Sequence, residues 1–223
     1  MSAAAAITGA LIGIAAAALT RFTRTRLADP TSPRLVSVPV LAVLGVVFGA
    51  LAGWRLNAWP EALAFLAAAL LSTLIVATDL AAHEIPHKIM WPGMGVLLAG
   101  LVLAAGIEGS WSRLGAALLT GIVIAVVYFV IAWFGKGQFG IGDVSLSLFF
   151  GTFLGWLGLP YALVGAFGAF LVHVPVTIAV LLARRAGRKA ELPFGPSLIA
   201  ASWLAAFLGP IVLGPCWAAD RGV

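Results

Sequence analysis

Where this chain has no charge constrains it most. About eight apolar runs follow one another, near Ala4–Thr20, Val36–Trp54, Glu61–Thr78, Ile89–Gly106, Leu114–Phe134, Asp143–Gly158, Tyr161–Ala183 and Phe194–Cys216, with only short polar breaks between them. Each approaches the roughly 20 residues that carry a helix across a bilayer. Just 9% of the 223 residues are charged, whereas a soluble domain carries about 25% and uses them to face water. Gly, Ala, Leu and Val dominate without a two-residue polar alternation, which argues against a transmembrane barrel. The expected fold class is therefore all-α: a polytopic membrane protein of about eight transmembrane helices in contact with membrane lipid.

The rest of the composition removes other classes. Cys216 is the single cysteine, so neither a disulfide framework nor a multi-cysteine zinc site is available. The net charge of +5 comes from basic residues between apolar runs, as anchoring charges do, and does not point to nucleic acid. The first run lacks a basic segment before it and continues into further spans, so it is expected to be a retained helix and not a cleaved signal. No internal repeat or long linker breaks the chain. We expect one membrane domain over 1–223, with N-terminal helices and a basic loop in 1–60 and a helical core in 61–217.

Orientation follows from counting. Loops after odd-numbered spans hold Arg21, Arg24, Arg26, Arg34, Lys88, Lys136, Arg184, Arg185, Arg188 and Lys189, ten of the 13 Lys and Arg. The positive-inside rule then places these loops in the cytoplasm and both termini outside.

Acidic residues are few enough for position to carry information. Asp29 and Asp220 fall in a loop and a tail, while Asp79 ends the third span and Asp143 begins the sixth. A carboxylate at a membrane boundary must be solvated, paired or protonated, and is a functional candidate by default. The predicted topology brings both to the cytoplasmic side. Two adjacent carboxyls can share a proton, one serving as base toward water and the other as acid toward a carbonyl, which hydrolyses a peptide bond without a metal or other cofactor. Alternatively, each aspartate caps a helix or pairs with a basic neighbour.

Three segments surround these residues. Asp143 closes Phe139-Gly140-Ile141-Gly142-Asp143, where Gly140 and Gly142 are expected to allow unusual φ values and close approach of a substrate backbone. Asp79 leads into His83-Glu84-Ile85-Pro86, and Pro86 is expected to end or bend its helix. Pro193-Phe194-Gly195-Pro196 opens the last span. In this order and topology the three segments resemble those of the type IV prepilin peptidases, the bacterial branch of the Gly-x-Gly-Asp aspartyl proteases, from about Ala62 onward. The resemblance implies that Asp79 and Asp143 are catalytic and that a prepilin or pseudopilin is the partner, losing a short basic leader at the cytoplasmic face of the bacterial inner membrane. Glu84, Gly140, Gly142 and Pro193, Phe194, Gly195 and Pro196 become candidate substrate contacts.

Two departures accompany the resemblance. Ser145 stands where many members carry a basic residue. Longer members insert a cysteine-rich methyltransferase domain after the first helix, where this chain has the cysteine-free loop Arg21–Leu35; a short form without methyltransferase activity is expected. Other readings of the same residues are a metal site on Asp79, His83 and His87, spaced four apart but interrupted by Pro86, and Glu84 as the acid. For His173 the choice is between a hydrogen bond to a neighbouring helix and a catalytic role. The rival class is a proton- or cation-coupled transporter, which also uses boundary carboxylates and broken helices, but no repeated halves are seen.

Overall fold

The structure, a computed structural model, describes Leu11 and residues 38–55, 61–82, 85–134, 140–183 and 193–212. Among them are seven helices and no strand: α1 (Val38–Arg55), α2 (Ala62–Ala82), α3 (His87–Glu108), α4 (Trp111–Phe134), α5 (Ile141–Leu157), α6 (Leu159–Ala183) and α7 (Gly195–Val212). The described ends fall within four residues of those expected from the apolar runs. Three helical stretches are long and apolar enough to cross a membrane, His87–Glu108, Trp111–Phe134 and Leu159–Ala179, and Ala62–Val76, Ile141–Leu157 and Gly195–Gly209 are shorter apolar helices. The first expected span, Ala4–Thr20, lies outside the described residues except for the helical Leu11.

Two compact units meet in sequence between Trp111 and Ser112. In the first, α2 packs against α1 and α3. The α2–α3 contact is close because Gly100 has no side chain: a Cβ there would stand 2.7 Å from the Ala64 backbone nitrogen. Hydroxyls inside α2 find partners within the helix. Ser72 donates to the Ala68 carbonyl at 2.6 Å and Thr73 to the Ala69 carbonyl at 3.0 Å, which satisfies polar groups where no water is at hand.

In the second unit, α5 packs against α6 and α7, and α6 against α7. The facing surfaces of α4 and α5 carry small residues. A Cβ on Gly155 would come within 2.9 Å of Thr120 Cβ and 3.0 Å of the Ala117 carbonyl, and one on Gly151 within 3.0 Å of Gly121 Cα. Helices in lipid gain nothing by hiding oil from oil, so close backbone approach through small residues supplies their attraction. An aromatic chain fills the other side of α5: Phe149 and Phe150 (5.2 Å between centroids), Phe150 and Phe153 (6.3 Å), Phe153 and Trp203 (6.0 Å), and Trp203 stacked on Phe207 (5.9 Å). Arg113 ties the start of α4 to the end of α5. Its Nε donates to the Trp156 carbonyl at 2.8 Å while the guanidinium lies 4.2 Å from the Trp156 ring centre.

Turn chemistry sets the tight connections. Gly109 ends α3 in the left-handed region (φ 68°), and its N–H and that of Ser110 close on the Ala105 carbonyl, a helix stop that favours glycine. Gly158 alone joins α5 to α6 at φ 131°, ψ 152°, a conformation essentially reserved for glycine. Its N–H returns to Leu154 and Gly155, and its carbonyl accepts the Tyr161 N–H.

Candidate active site

Asp79 and Asp143 occupy different units and different kinds of position. Asp79 lies in the last turn of α2 with 4% of its surface exposed. Thr78, before it, bonds back to the Leu74 and Ile75 carbonyls, each at 3.2 Å. Glu84 and His83 lie outside the described residues. Pro86 caps α3 in an extended conformation (φ −69°, ψ 122°), its carbonyl accepting the Ile89 and Met90 N–H groups at 2.9 and 3.0 Å. Proline suits this place because the cap needs no N–H of its own. His87 begins α3 and is exposed. Among the described residues, no three His, Cys, Asp or Glu side chains are grouped as a metal ion would require.

Asp143 lies in the first turn of α5, half-buried. The Gly140 N–H donates to its Oδ2 at 3.1 Å, and its own N–H donates to the Gly140 carbonyl at 3.1 Å. The capping role considered from sequence is thus realised at this residue. A carboxylate has two oxygens and about four acceptor sites, so one cap on Oδ2 leaves it chemical capacity. The unusual φ values expected of the glycines are not found. Gly140 has φ −84° and Gly142 lies within the helix, and neither is among the glycines of positive φ. A Cβ on Gly140 would meet nothing nearer than 3.8 Å. What glycine leaves at 140 is bare, exposed backbone. Ser145 turns its hydroxyl back onto the Ile141 carbonyl at 3.2 Å.

The segment Pro193–Pro196 is brought to the same unit as Asp143. Phe194 is buried, and its carbonyl accepts the Ser197 and Leu198 N–H groups at 3.0 and 3.1 Å, so it starts α7 with Pro196 in the tolerant first turn. Its ring packs on Phe170 (5.2 Å), Tyr128 (5.9 Å) and His173 (5.1 Å). Tyr128 is a residue that sequence reasoning misses. It is 2% exposed, donates its hydroxyl to the Ala166 carbonyl at 2.9 Å, and lies near enough to Asp143 for charge on the two to repel. The available signal is its rarity, for the chain has only two tyrosines. A phenol placed in an otherwise aliphatic span needs a partner for its hydroxyl. His173 makes the inter-helix bond expected of it: Nδ1 and the Ser197 hydroxyl are 3.1 Å apart in a hydrogen bond.

Comparison with known proteins finds relatives by sequence. Residues 66–176 match the type IV leader peptidase family. The chain is 28% identical over 184 residues to a prepilin leader peptidase/N-methyltransferase of Pseudomonas putida, covering 78% of this chain and 59% of that protein. It is 31% identical over 154 residues to one from Aeromonas hydrophila (65% and 50%) and 26% over 187 residues to one from Legionella pneumophila (82% and 62%). The chain thus spans between half and about three-fifths of the length of these relatives. No solved structure matches it. Through the segment 66–176, which carries both aspartates, this chain belongs to the type IV leader peptidase family.

Proposed function

We propose that the chain is a membrane aspartyl endopeptidase that removes the short basic leader from prepilin-like or pseudopilin precursors, with Asp79 and Asp143 as its catalytic pair. One observation carries this reading: the family match covers Asp79 and Asp143 together, each at a helix end within an apolar protein. In the proposed topology about eight helices span the bacterial inner membrane, both termini lie outside, and the active site faces the cytoplasm, where ten of the 13 basic side chains cluster.

The chemistry needs only these carboxyls and water. One aspartate, ionised, takes a proton from water as the oxygen attacks the scissile carbonyl. The other, protonated, donates to the carbonyl oxygen and gives a neutral tetrahedral diol. Proton return to the amide nitrogen then lets the carbon–nitrogen bond break, leaving the leader's carboxyl and the pilin's amine. Bare backbone at Gly140 would border the extended substrate, and Glu84 would add negative charge for the basic leader. Pro193, Phe194, Gly195 and Pro196 would form a further wall.

The test is to co-express the chain with a prepilin from the same genome and measure the pilin's mass. Loss of the leader with wild type, but with neither Asp79→Asn nor Asp143→Asn, supports the peptidase and its pair. Full-length pilin in every case, together with ion or solute flux in vesicles, would establish the transporter instead.

A further inference from the structure

A polar contact in the second unit is not used by the chemistry above. His173 lies on α6, two residues before Pro175. Pro175 has no N–H to return to the Leu171 carbonyl, so α6 lacks one of its own restraints here. At this point Nδ1 of His173 bonds the Ser197 hydroxyl (3.1 Å), and its ring stands 5.1 Å from Phe194. Ser197 is 7% exposed and sits in the first turn of α7, directly after Pro193–Pro196. Phe194 in turn packs on Tyr128, which lies near Asp143. If packing alone were needed between two helices in lipid, an aliphatic side chain would serve. An imidazole–hydroxyl bond adds direction, fixing the rotation of α7's first turn against α6.

We infer that His173 is a positioning residue: through Ser197 and Phe194 it sets where the Pro193–Pro196 segment lies beside the Asp143 end of α5. The inference uses the peptidase reading for its main measurement. A misplaced segment weakens substrate binding and leaves the aspartates in place, so the loss falls on KM. Breaking one buried hydrogen bond corresponds to a roughly 5- to 30-fold effect.

The experiment uses the full chain in membranes with a prepilin that wild type cleaves. His173→Leu and Ser197→Ala should each lower kcat/KM by roughly 5- to 30-fold, chiefly through KM, and the double variant should be no worse than either. His173→Asn, which keeps a polar group near Nδ1, should return to within roughly 2-fold of wild type. A His173→Leu variant at wild-type rate, or losses that multiply in the double variant, overturns the inference. So does a kcat collapse in both His173 variants, which would put the ring in the chemistry. Should wild type cleave no leader, the peptidase reading fails, and maleimide labelling of Pro193→Cys in a Cys216→Ala background decides this one. Several-fold faster labelling with His173→Leu and Ser197→Ala, reversed by His173→Asn, sustains it; equal rates in all variants overturn it.

Discussion

Asp79 and Asp143 are the same residue type in opposite local surroundings. Asp79 stands in the last turn of its helix and is nearly enclosed; Asp143 stands in the first turn of its own, half-buried, with a backbone N–H on one oxygen. The first turn of a helix presents unpaired N–H groups to an anion, whereas the last presents carbonyls. Asp143 therefore has a structural task that needs only its oxygen lone pairs, and a carboxylate at the carbonyl end cannot cap its helix in this way. A residue that also caps a helix and one that does not should respond differently to replacement, and the choice of substituent separates the roles.

The largest expected effect treats the two alike. On the proposed mechanism Asp79→Asn and Asp143→Asn each remove a proton-transferring carboxyl while keeping shape, and each should reduce leader cleavage by about 100-fold or more with unchanged membrane levels. Substantial activity in either variant would break the pairing.

Packing differs between glycines as sharply as charge does between the aspartates. Gly155→Leu drives a side chain into Ala117 and Thr120 and should lower stability by about 3 kcal/mol, seen as early loss of folded protein on heating in detergent. A Cβ added at Gly95 would meet nothing within 4 Å, so Gly95→Ala should stay within about 0.5 kcal/mol of wild type. Gly158→Ala should cost about 2 kcal/mol by the same assay, through its backbone conformation and not through crowding, since a Cβ there would meet Tyr161 at an ordinary 3.5 Å.

A smaller effect than those at Gly155 and Gly158 returns to the aspartates. Asp143→Ala should be about 1 kcal/mol less stable than Asp143→Asn, because alanine cannot accept the Gly140 N–H. Equal stabilities of the Ala and Asn variants at position 143 would mean that the cap contributes nothing.

The helices are legible in the sequence because apolar runs record them directly: the run Leu114–Phe134 lies inside the helix Trp111–Phe134. Asp143 is legible because charge is rare in such a chain. The setting of Phe194 is not, since Tyr128, Phe170 and Phe194 come from distant parts of the sequence and no local pattern encodes their meeting. The Gly-x-Gly pattern suggests conformational freedom at Gly140, yet its φ of −84° is open to any residue. The motif identifies the position, and only the backbone angle excludes that reason for it. Ser197 is easily missed because a serine in an apolar run ordinarily bonds its own helix.

The 17-residue α5 is buried along nearly all of its length from Leu146 to Leu157. At 1.5 Å per residue it is about 26 Å long, short of the roughly 30 Å hydrocarbon layer. A helix sheathed by protein need not match the bilayer, so the adjustment to thick or thin membranes falls on its longer neighbours, the 24-residue α4 and 25-residue α6. Hydrophobic mismatch would then tilt the outer helices first, while the helix bearing Asp143 keeps its length and surroundings across membranes of different lipid content.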